Sequence, residues 1–171
     1  MLREILALLF DKLQKLRERC VNLELPRFLN PIDSKHQLIL WLVIVFSLAF
    51  IEANLIIWIR GDIPSFTEEA FRNLIIFSTV MGVVEELGLR GVPKRWFGNG
   101  GLLVGTLLWI GFHQFDASPP PLYRIPGDIL FGIMYVKIWR GKYWWTSFII
   151  HPSWNIGILV WWQFVLPHFQ G

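Results

Sequence analysis

The chain predicts an all-α integral membrane helical bundle, with about five spanning helices and an amphipathic helix at its N-terminus. Three observations lead there. Of 171 residues, 54% are hydrophobic and mean hydropathy is +0.46. Charged residues make up 17%, below the roughly 25% usual for soluble domains. The cations lie between long apolar stretches rather than in one basic stripe, which argues against a nucleic-acid partner and for a lipid bilayer as the chain's surroundings. The lone Cys20 excludes an internal disulfide. Two regions follow: an interfacial helix and linker over 1–30, and a transmembrane core over 31–171.

Residues 2–24 repeat Leu2, Ile5, Leu6, Leu9, Leu13, Leu16 and Cys20 at helical spacing, with Arg and Lys between them. An apolar stripe beside cations suits the membrane surface or a helix packed on the bundle. Pro26 and Asn30-Pro31 end the pattern. Gln37–Ile59 is the clearest span, because about 20 apolar residues cross the hydrocarbon core. Glu52 within it is expected to hydrogen-bond a neighbouring helix. Gly61 to Pro64 forms a loop, and Ser65 to Glu69 starts the next helix. The second span covers about 71–89 and carries Glu85 and Glu86 near its end. Gly91, Pro93 and Gly98–Gly101 mark a loop. A short third span, about 102–115, holds His113 and ends at Asp116. Pro119-Pro120-Pro121 lacks backbone donors and reads as an extended connector. The fourth span covers about 128–139, and the fifth 143–166, where Pro152 is expected to kink the helix or start a new one. Trp58, Trp96, Trp139, Trp144, Trp145, Trp161 and Trp162 fall near span ends, as interfacial belts do.

With a cytoplasmic N-terminus, five crossings put thirteen Lys and Arg residues inside and leave only Arg60, Arg72 and Arg124 outside. That asymmetry is the one the positive-inside rule predicts, so the expected topology is N-terminus cytoplasmic and C-terminus outside.

Ionisable groups at membrane depth are costly and mark interior functional sites. Glu86 and Arg90 are four apart on one helical face, acid first. Pairing between them leaves Glu85, turned by about 100°, free to face a cavity as a general base. A structural ion pair closing the helix end is the competing account of Glu86 and Arg90. His151 and Asn155 also share a face four residues apart and could bind a metal, orient a water or donate to an oxyanion. His113 alone is a weaker signal.

Three short patterns lie in successive hydrophobic segments: Glu85-Glu86-Leu87-Gly88-Leu89-Arg90, Trp109-Ile110-Gly111-Phe112-His113 and His151-Pro152-Ser153-Trp154-Asn155. Their order resembles the EExxxR, FxxxH and HxxxN motifs of the CAAX-protease and bacteriocin-processing family, which includes the type II CAAX prenyl endopeptidases. The similarity covers about residues 75–157, and the stretch Gly127-Asp128-Ile129-Leu130-Phe131-Gly132 also looks familial. Trp109 departs from the family's Phe, keeping an aromatic pocket wall of different volume. The resemblance implies an intramembrane endopeptidase in which Glu85 activates water with help from His113. His151 and Asn155 then stabilise the oxyanion, and Glu86 and Arg90 hold the motif helix. It implies peptide or protein substrates, lipidated ones among them, and no cofactor. Zinc held by Glu85, His113 and His151 is the alternative, since two histidines and a carboxylate can form a catalytic site. A non-enzymatic immunity or scaffold protein of the same fold, and a small transporter, are the competing functions. The lack of an inverted repeat weighs against the transporter.

Overall fold

The computed structural model describes residues 2–60, 65–115 and 124–169. The expected loop at Gly61–Pro64, Asp116 and the proline connector lie outside the described residues. Among those described the chain is all-helical, with no strand. Helix α1 spans Leu2–Val21, α2 Lys35–Arg60 and α3 Glu68–Glu85. A wider, π-type turn over Glu86–Gly91 leads into α4, Val92–Phe115. Then come α5, Ile125–Arg140, and α6, Ser147–Val160, which runs on as a π-type turn, Trp161–Val165, and a 3₁₀ turn, Leu166–Phe169.

Local chemistry accounts for several boundaries. Thr67 caps α3 by accepting from the Ala70 N–H at 3.2 Å, and Glu68 and Glu69 occupy the first turn, where acids suit the helix dipole. The loop expected between the second and third spans shrinks to one residue. Gly98 has φ +58° and reverses the chain inside α4, a conformation that glycine adopts without steric cost. Pro152 neither breaks nor restarts α6, which runs through it.

The reversal at Gly98 builds an antiparallel helical hairpin whose register decides the site. A Cβ on Gly101 would strike the Pro93 backbone, and one on Gly105 would strike that of Leu89. Four residues further along, Trp109 meets Glu85. Each turn up the second arm thus lies against one turn back down the first, and the two glycines let the backbones touch. Small residues at such interfaces allow close packing between helices.

The rest of the bundle surrounds this hairpin. Gly82 of α3 packs on Pro152 of α6. Glu52 of α2 makes the interhelical bond expected of it, its Oε1 accepting from the Gly127 N–H at 3.1 Å. The segment after α1 is tied to the end of α5: Lys137 donates to the Phe28 carbonyl at 3.0 Å, and the Ile32 N–H donates to Lys137 O at 3.1 Å. The last turn of α1 rests on the reversal, with Arg17 Nε donating to Trp96 O at 2.9 Å. Its earlier apolar positions, Ile5 to Leu16, remain exposed.

One helix among the described residues, Lys35–Ile59, is long and apolar enough to cross a membrane by length and composition. Helix α5 has 16 residues, short of the roughly 20 that a straight crossing needs. The length test therefore supports one of the five expected crossings. The tryptophan belt also needs one correction. Trp58, Trp96, Trp144 and Trp145 are exposed, but Trp139 is buried in the core.

Candidate active site

Glu85 and Glu86 leave the end of α3 in different directions and meet different partners. The Glu86 carboxylate is fully buried, and so is Arg90, whose Nη1 donates to Oε1 at 2.5 Å. Trp139 Nε1 from α5 donates to Glu86 Oε2 at 2.6 Å. His151 Nδ1 from α6 lies 3.0 Å from Oε1. An ionised carboxylate can only accept, so Nδ1 carries the proton, and the ring is fixed with Nε2 turned towards Glu85. Glu86 therefore joins three helices through charge-assisted bonds, the stronger class of hydrogen bond. The Arg90 guanidinium is also sandwiched, 4.7 Å from the Trp109 ring centroid and 4.5 Å from that of Tyr135. Aromatic faces attract a cation that has lost its water.

Glu85 is one-fifth exposed, and its Oε2 accepts from Trp109 Nε1 at 2.6 Å. The same oxygen lies 3.6 Å from His151 Nε2 and 4.0 Å from His113 Nε2. Both separations exceed a direct hydrogen bond, and polar groups at that spacing suit a bridging water. The His113 ring has its own anchor, because Nδ1 lies 2.9 Å from the Trp109 carbonyl. A carbonyl only accepts, so in the neutral ring Nδ1 donates and Nε2 is left as the acceptor.

A cavity of about 380 Å³ opens beside these groups. Trp109, His113, Tyr135, His151 and Asn155 are among its lining residues, and so are Glu52, Arg124 and Asp128. Glu85 is not among the lining residues and reaches the group through Trp109 and the two histidines. Gln114 Nε2 donates to Asp128 Oδ2 at 2.6 Å. Where α4 begins, Lys94 Nζ donates to the Trp139 carbonyl at the end of α5. Burial there, and then the charge of Arg140, push the Lys94 pKa down.

The structure thus brings Glu85, His113 and His151 together, with Glu86, Arg90 and Trp109 behind them. Asn155 lines the same cavity and makes no hydrogen bond to the three. The hairpin register brings His113 to Glu85, since the arm carrying it folds back along the helix that ends there. Sequence reasoning missed Trp139, which lies 53 positions from Glu86. It also took Trp109 for a wall, where the indole is a donor to Glu85. Among the described residues, no group of three His, Cys, Asp or Glu side chains is arranged to hold a metal ion.

Among the described residues the chain is all-helical and brings one carboxylate, Glu85, to two imidazoles beside an interior cavity. A family model described as type II CAAX prenyl endopeptidase, Rce1-like, matches residues 67–157. The chain belongs to this Rce1-like family, a protease family whose members are membrane proteins. No curated protein and no solved structure matches it significantly.

Proposed function

We propose that the protein is an intramembrane endopeptidase in which Glu85 activates a water to hydrolyse a peptide bond. The observation that carries this reading is the approach of one Glu85 oxygen to both imidazoles, at 3.6 and 4.0 Å. A water held between them loses its proton to Glu85, with the His113 Nε2 lone pair assisting. Its oxygen attacks the carbonyl carbon, and the carbonyl oxygen becomes an oxyanion facing the Asn155 amide and His151, whose Nε2 donates to it as an imidazolium protonated at both nitrogens. The proton held by Glu85 then passes to the leaving amine as the C–N bond breaks. Glu86 and Arg90 act behind this set by fixing His151 and the helix end. Peptides or proteins, lipidated ones included, are the proposed substrates.

The bundle is proposed to sit in the bilayer with its N-terminus cytoplasmic and its C-terminus outside. Exposed apolar side chains on α2, α3 and α4 support that placement, among them Ile39, Val43, Ile51, Phe77, Val80 and Leu107. So does the thirteen-to-three distribution of cations. Labelling of a cysteine introduced in 60–70 from the cytoplasmic side would overturn the topology.

The mechanism is proposed without a metal. Zinc through Glu85, His113 and His151 is the alternative, and loss of activity in EDTA that zinc restores would replace the metal-free reading. The main test uses purified protein in detergent with a farnesylated peptide ending in a CAAX sequence and an unprenylated peptide library. Cleavage by wild type is expected. Asn155→Ala is expected to lower kcat by about 10²–10³-fold, the usual cost of one oxyanion donor. No cleavage of any peptide would favour a non-enzymatic scaffold.

A further inference from the structure

Tyr135 is one of the residues that line the cavity. Tyr135 is wholly buried, and among the described residues its hydroxyl has no hydrogen-bond partner. Its ring is held firmly: parallel to Phe131 at 6.0 Å, 5.4 Å from the His151 ring, and at 6.1 Å across the edge of Trp109. The guanidinium of Arg90 covers its face. Neither glutamate of the cluster accepts from this hydroxyl. Arg90, His151 and Trp139 occupy Glu86, and Trp109 occupies Glu85 Oε2.

A buried hydroxyl without a partner is destabilising, so a phenylalanine would serve packing at least as well. The oxygen therefore calls for a partner outside the fold. The geometry points to the substrate: we propose that the Tyr135 O–H donates to the carbonyl oxygen of the bond being cut. It would be a second neutral donor beside Asn155, and it rests on the hydrolase reading above. The phenol keeps its proton throughout. Its hydrogen bond strengthens as the carbonyl oxygen acquires charge, which is how a fixed donor lowers a barrier.

Tyr135→Phe separates this role from a structural one. With the farnesylated CAAX peptide, kcat is expected to fall by about 10²–10³-fold while KM changes little. The thermal midpoint in detergent should stay the same or rise, because no bond within the fold is lost. A kcat within about twofold of an active wild type would overturn the proposal and leave the hydrolase reading standing. A clear fall in thermal midpoint would assign the hydroxyl a structural partner and overturn it too. A wild type that cleaves nothing would sink both.

Discussion

Glu85→Gln is expected to lower kcat by about 10²–10⁴-fold, the range that general acid–base catalysis supplies. The substitution is nearly isosteric. The glutamine carbonyl oxygen can still accept from Trp109 Nε1, which now bonds Glu85 at 2.6 Å. What disappears is the ability to take a proton from water. Thermal unfolding should therefore be close to wild type while turnover of the farnesylated peptide collapses. A Glu85→Gln protein that is folded and turns over at the wild-type rate would exclude this carboxylate as the base.

Glu86→Gln should show the opposite pattern, with the loss appearing first in stability. Glu86 and Arg90 are both fully buried, and removing one charge leaves the other uncompensated. Breaking a buried pair in this way costs about 3–5 kcal/mol. An amide placed there also turns an NH₂ towards either Arg90 and His151 or the Trp139 N–H, so two donors face each other. The expected result is a lower thermal midpoint in detergent and a smaller monodisperse fraction, with residual activity reduced through a misplaced His151. A variant whose unfolding curve overlays that of wild type would show that the pair is not what holds the three helices together.

The contrast between adjacent glutamates explains how much of the site could be read from the chain. Spacing of four puts Glu86 beside Arg90 on one face of an α-helix, and the ion pair is kept in the π-type turn that the segment adopts. The same reasoning turned Glu85 away from that pair. It could not supply Trp109, His113 and His151 as neighbours of Glu85, because those contacts depend on how helices pack. The Gly-rich stretch at 98–101 reads locally as a loop. Only packing separates Gly98, where the chain reverses, from Gly101, which is helical and lies against Pro93.

Composition and period alone establish a helical, strongly apolar chain with three polar patterns in order, since helical spacing and hydropathy are local properties. The Rce1-like family model matches residues 67–157, the stretch that carries those patterns. Register was decided in three dimensions. The close backbone contact at Gly105 sets which turn of α4 meets which turn of α3, and so brings Trp109 and His113 to Glu85. Trp139 and His151 reach Glu86 from α5 and α6 for a like reason: a buried carboxylate has no water to solvate it, and donors from distant helices take that place.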